Sequence, residues 1–149
     1  MKIAIGTDHG GLCLKEAVIN ALKSLKIEYK DFGTYTEESC DYPDFALAVS
    51  ESVASCEYDK GILLCGTGIG ISIAANKVKG IRAAVVTNEF CAKAVAEHNN
   101  ANILCMGGRV ITPELAAKLV KAWLETPFAG GRHANRVGKI TAIENKYMK

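Results

Sequence analysis

Cys65 stands directly before Gly66-Thr67-Gly68-Ile69-Gly70, with a short apolar run behind it and a helical period ahead. Alternating glycines let backbone amides turn inward, and the start of the following helix adds partial positive charge. Such a loop suits an anion, or an oxyanion that develops during reaction. A thiol at its edge feels the same field, which favours the thiolate, a nucleophile or a base. The dinucleotide fingerprint needs glycine where Ile71 stands, and the phosphate-binding P-loop needs a Gly-Lys pair that the run lacks. The phosphatase pattern, Cys followed by five residues and Arg, fails at the same Ile71. Two plainer readings stay open from these residues alone: a βα turn that uses glycine for tight packing, and Cys65 as a small buried side chain.

Three further groups carry polar chemistry. Asp8 and His9 close the first apolar run, where a carboxylate suits substrate hydroxyls and an imidazole suits phosphate; Asp8 equally fits a helix cap. His98 with Asn99 ends a helical stretch, a place where both residue types also have ordinary capping roles. Arg132 and Arg136, four apart after Gly130-Gly131, project from one face of a helix start and suit a phosphate, with His133 between them. Arg109, after Gly107-Gly108, is another cationic candidate. No acidic cluster suggests a bound metal, and His9, His98 and His133 lack ligand spacing.

The elements that must position these groups follow from periodicity. Apolar runs at 3–6, 29–32, 61–65, 82–87 and 102–106 read as strands, and they alternate with helical stretches at 12–25, 43–56, 69–76, 89–98 and 112–123. Pro43 opens one helix, and Thr112-Pro113-Glu114 opens another with a capping hydroxyl before the proline. A last helix runs over roughly 134–146, after a Gly-rich loop. Five strands alternating with helices predict an α/β fold: a three-layer α-β-α sandwich around a Rossmann-like, five-stranded, mainly parallel sheet, with an extra C-terminal helix. Ligands bind such sheets at the carboxyl ends of the strands, where Asp8, Cys65 and Arg109 fall. The helix at about 132–149 has no strand after it, which predicts that it packs on a second copy of the chain.

Length and composition set the bounds. The 149 residues are 49% apolar and 23% charged, enough to bury one core without a staple, so residues 1–149 are expected to form a single domain. A net charge of +2 gives no reason to invoke nucleic acid or an anionic membrane. The six cysteines include no CxxC pair, and Met1 leads straight into a strand-like run, so they are expected to be thiols of a reducing cytoplasm. The longest uncharged run, 61–76, carries four glycines and a turn signal, so it is no membrane span.

Taken together, Gly6-Thr7-Asp8-His9-Gly10-Gly11, Asp41-Tyr42-Pro43-Asp44, Cys65 to Gly70, His98-Asn99, Gly107-Gly108-Arg109 and Gly131-Arg132-His133 with Arg136 closely resemble the B-type ribose-5-phosphate isomerase family. The resemblance spans essentially the whole chain, in order and at family spacing. It implies an isomerase of the pentose phosphate pathway, without metal or cofactor, that interconverts ribose 5-phosphate and ribulose 5-phosphate through a cis-enediolate. It implies Cys65 as the base between C1 and C2, and His98 as the acid/base that opens the furanose ring. The amides of Gly66, Thr67, Gly68, Ile69 and Gly70, with Thr67, correspond to the anion hole. Asp8 and Asn99 correspond to sugar contacts, His9, Arg132 and Arg136 to phosphate contacts, and Arg109 and Tyr42 to the pocket lining. The family resemblance further implies a homodimer or dimer of dimers whose sites lie between subunits. One branch of the family uses Glu just after the glycine loop instead of Cys; here that position is Ile71.

Two rival readings remain at the level of sequence. One is an isomerase of a six-carbon sugar phosphate, allose 6-phosphate or galactose 6-phosphate, on the same scaffold. The other is a non-catalytic nucleotide-binding module, which the broken fingerprint and the clustering of Asp, His, Cys and Arg at strand ends disfavour.

Overall fold

A computed structural model describes residues 1–149. Five strands, β1 (Lys2–Thr7), β2 (Glu28–Asp31), β3 (Lys60–Cys65), β4 (Ala83–Val85) and β5 (Ile103–Gly107), form one sheet in the order β2-β1-β3-β5-β4. Every pairing is parallel. The helices between them are α1 (Leu12–Ser24), α2 (Tyr42–Ala54), α3 (Ile69–Ala75), α4 (Glu89–Glu97) and α5 (Pro113–Glu125), and α6 (Arg132–Tyr147) follows the last strand-helix unit. The expected five strands and six helices are all present. The last helix begins at Arg132, slightly earlier than its periodicity suggests, because the turn at Gly130-Gly131 already satisfies its first amides: His133 N–H donates to the Gly130 carbonyl at 3.0 Å.

Alternation along the strands divides the core into two layers. Ile3, Ile5, Ile62, Leu64, Leu104 and Met106 point to the side covered by α1, α4 and α5, where Trp123 and Leu14 are fully buried. Ala4, Leu63, Cys65, Ile103 and Cys105 point to the other side, under α2 and α3, with Val49 and Ile71. A period of two therefore places Cys65 on the α2/α3 face as the last residue of a central strand.

The helix starts follow ordinary capping chemistry. Thr112 Oγ1 accepts from Leu115 N–H at 3.2 Å before Pro113, and Asn88 Oδ1 accepts from Cys91 N–H at 2.9 Å. α6 is different in kind: it contains no buried residue, and Ile140, Ile143 and Tyr147 remain 47%, 61% and 73% exposed. No helix of the chain is long and apolar enough to cross a membrane.

Candidate active site

Three strand ends are drawn together at the carboxyl edge of the sheet. Asp8 N–H donates to the Leu64 carbonyl at 3.0 Å, Gly108 N–H to Cys65 at 2.8 Å, and Arg109 N–H to Gly66 at 2.9 Å. The loops after β1, β3 and β5 thus meet backbone to backbone. Gly108 is required by that closeness, since a Cβ there would lie 2.3 Å from the Gly10 carbonyl oxygen and 2.9 Å from Cys13 Sγ. Gly68 is required by conformation, with φ +81° at the turn into α3.

That turn aims one of its own amides at the thiol. Gly68 N–H points at Cys65 Sγ at 3.0 Å, and the Cys65 residue is only 4% exposed. An amide aimed at sulfur stabilises negative charge there. Thr67 Oγ1 accepts from Ile69 N–H at 3.1 Å, which leaves its own O–H free to donate. With the Gly68 and Ile69 amides engaged inside the loop, the N–H groups of Gly66 and Thr67 have no acceptor within the chain. The loop therefore divides its amides between holding the base and offering donors to a ligand.

The other residues expected at this end surround the same loop. The Tyr42 ring covers Gly70, its atoms 2.6–3.0 Å from where a Cβ would stand, and the Arg109 guanidinium lies over Gly66. Asp8 is buried, its Oδ1 accepting from the amides of Gly10 and Gly11 at 2.8 and 3.1 Å. It is thus a turn-holding residue as well as a candidate sugar contact, because its second oxygen remains unengaged. His9 Nδ1 accepts from Cys40 N–H at 3.2 Å, tethering the ring to the segment before α2. A cavity of about 430 Å³ opens beside them, lined by Asp8, Cys40, Asp41, Tyr42, Pro43 and Asp44. The contact of Cys40 with His9 has no signal of its own in the sequence, since the loop that leads into α2 has no regular period.

The remaining candidates lie elsewhere. His98 caps α4 at the amino end of β5, and Asn99 lines a separate cavity of about 270 Å³ with Asn76, Arg82 and Ile140. Arg132 and Arg136 flank His133, whose ring stacks on His98 at 4.4 Å between centroids and 12° between planes. Four strand steps separate Ile103 from Gly107, about 13 Å at some 3.3 Å each, and Gly107 pairs with Cys65. One chain therefore gathers Asp8, His9, Tyr42, Cys65 to Gly70 and Arg109 at one end of the sheet, and His98, Asn99, Arg132 and Arg136 at the other.

The second buried thiol on the same face is chemically distinct. Burial, reinforced by charge on Cys65, pushes the Cys105 thiol well above its ordinary range, so it stays protonated. No three His, Cys, Asp or Glu side chains converge as a metal site would require.

Known proteins share this sequence pattern and fold. The profile of a family described as Ribose/Galactose Isomerase matches residues 3–140. Ribose-5-phosphate isomerase B of Escherichia coli is 48% identical over 145 residues, covering 97% of each chain. D-erythrulose-4-phosphate isomerase of Pectobacterium atrosepticum is 40% identical over 147 residues, 98% of this chain and 97% of that one. The solved structure of ribose-5-phosphate isomerase B from Clostridium thermocellum superposes with a TM-score of 0.96 at 58% identity, covering 99% of both chains. That of the Mycoplasma genitalium enzyme, with ribulose-5-phosphate bound, superposes at 0.92 with 41% identity and covers 97% of both. On a match that runs through nearly the whole sequence and the whole fold, this chain belongs to the ribose/galactose isomerase family.

Proposed function

We propose that the chain interconverts D-ribose 5-phosphate and D-ribulose 5-phosphate, with Cys65 as the base. The observation that carries the reading is the Gly68 amide at 3.0 Å from Cys65 Sγ, in a loop whose Gly66 and Thr67 amides are free to bind an anion. A proton next to a carbonyl is only weakly acidic, so its removal needs a base and a stabiliser of the developing oxyanion side by side. Cys65 takes the proton from C2 of the open-chain aldose, and charge builds on O1 opposite the two free amides and the Thr67 hydroxyl. Return of a proton to C1, with transfer of the O2 proton to O1, yields the ketose. The bound ribulose-5-phosphate of the Mycoplasma genitalium relative supports the substrate class.

Asp8 and Tyr42 hold sugar oxygens beside the base, and His9 and Arg109 face the ligand from the same end. The ring-opening His98, the sugar contact Asn99 and the phosphate-binding Arg132 and Arg136 come from a second copy. The separation of these groups along the sheet supports this reading, because one small sugar phosphate does not span both ends. The exposed Ile140, Ile143 and Tyr147 support α6 as the helix that packs on the partner, with residues 1–149 as one domain per chain. Six free thiols fit a reducing cytoplasm.

The test is conversion of D-ribose 5-phosphate by the wild type and by Cys65→Ala, with a chelator present throughout. Wild-type turnover should survive chelation and fall by about a thousandfold or more in the variant, with phosphate-ester binding retained. A fully active Cys65→Ala would remove the base assignment. Running four- and six-carbon aldose phosphates alongside decides chain-length preference; silence on all of them would point to a binding module instead.

A further inference from the structure

His133 lies in sequence between two phosphate-binding candidates, and no motif gives it a role of its own. In the structure it is the residue in stacked contact with His98, ring centroids 4.4 Å apart and planes 12° from parallel. The contact is built by the backbone around it. Ala129 N–H donates to the Glu97 carbonyl at 3.0 Å, which hitches the segment before α6 to the end of α4. Gly130 and Gly131, at φ +67° and +56°, then turn the chain so that the second residue of α6 meets the cap residue of α4.

The charged groups around the pair are Glu97 from α4 and Arg132 and Arg136 from α6. The Glu97 carboxylate lies 3.8 Å from His98 Nε2. Partial desolvation, then His98 and the two arginines, hold the His133 imidazole below its ordinary value, against the pull of Glu97. At neutral pH the upper ring is therefore uncharged, and it can lie flat on His98 whether or not that ring carries a proton.

We propose that His133 is a positioning residue for ring opening: its stacked imidazole fixes the plane of His98, the ring that exchanges a proton with the furanose oxygen. Proton transfer to that oxygen as the C1–O4 bond breaks, with loss of the O1 proton, requires a ring nitrogen held in line with the oxygen. A histidine at a helix end, turning about two single bonds and 41% exposed, does not hold such a line unaided. The proposal rests on the ribose 5-phosphate reading above and assigns a cause to the orientation of one of its groups.

The test exploits a step that needs no ring opening. D-Ribulose 5-phosphate has its terminal oxygen esterified and cannot close a furanose, so exchange of its C1 hydrogen with D2O reports the Cys65 step alone. In His133→Ala, kcat for D-ribose 5-phosphate should fall about tenfold or more, with KM within about twofold and C1 exchange within about twofold of wild type. His133→Phe keeps a flat ring without nitrogens and should restore kcat to within about threefold. Equal losses in isomerisation and exchange, an unchanged His133→Ala, or a His133→Phe as slow as His133→Ala would each overturn the proposal. A wild type inert towards D-ribose 5-phosphate would instead overturn the functional reading.

Discussion

Cys65 and Cys105 show how much one residue's surroundings decide. Both point to the α2/α3 face, on neighbouring parallel strands, and both are buried. Only Cys65 ends its strand at a turn that returns an amide to the sulfur. Cys105 lies two residues short of the end of β5, where burial raises its thiol and keeps it neutral. That difference has a stability consequence. A raised thiol keeps its proton in the folded state while the unfolded chain loses it above about pH 8.5 to 9. Stability attributable to Cys105 is thus fully present below that range and is lost as pH rises towards the folded-state value, at up to about 1.4 kcal/mol per pH unit. Cys105→Ala should abolish this component. Urea midpoints at pH 8 and pH 10 should drop more in the wild type than in the variant, and equal drops would contradict the buried-thiol account.

At the scale of elements, the site depends on loops that touch through their backbones. Gly108 brings the β5 loop against the β1 loop, and the space where its Cβ would stand is already filled by the Gly10 carbonyl and Cys13 Sγ. Gly108→Ala should therefore destabilise the chain by about 1–3 kcal/mol and also slow catalysis, because the Gly108 and Arg109 amides that tie this loop to Cys65 and Gly66 must shift. Chemical denaturation and turnover measured on the same sample check both effects. The helix start at Gly131 behaves differently. At φ +56° a side chain strains the turn, while nothing lies within 4 Å of the added Cβ. Gly131→Ala should misplace Arg132, His133 and Arg136 and raise KM for the phosphate ester, with a melting temperature lowered by only a few degrees.

At the scale of the molecule, the distribution of residues between the two ends of the sheet predicts complementation. Cys65→Ala and His98→Ala chains should each be nearly inactive alone. If each site takes Cys65 from one chain and His98 from the other, random reassociation of equal amounts makes half the dimers mixed, each with one intact site. About a quarter of wild-type activity should then return. No recovery after verified exchange of subunits would mean that each chain completes its own site.

Much of this molecule is legible in its linear sequence. Strand and helix periods along an alternating α/β chain leave few topologies, and the glycine spacing after Cys65 marks the end of β3 as a place for negative charge. Asp8 and Arg109 carry the same promise from their positions at strand ends. What a linear pattern does not express is distance between elements that are remote along the chain. The order β2-β1-β3-β5-β4, the backbone contacts between the loops after β1, β3 and β5, and the stack of His133 on His98 all arise from packing across such gaps. The type of fold, and the pairing of a thiol with an anion-stabilising loop, follow from local spacing and so are set by residue order alone. The placement of Cys65 and His98 at opposite ends of one sheet is set by tertiary packing, because strand order and direction, and not residue type, fix that separation.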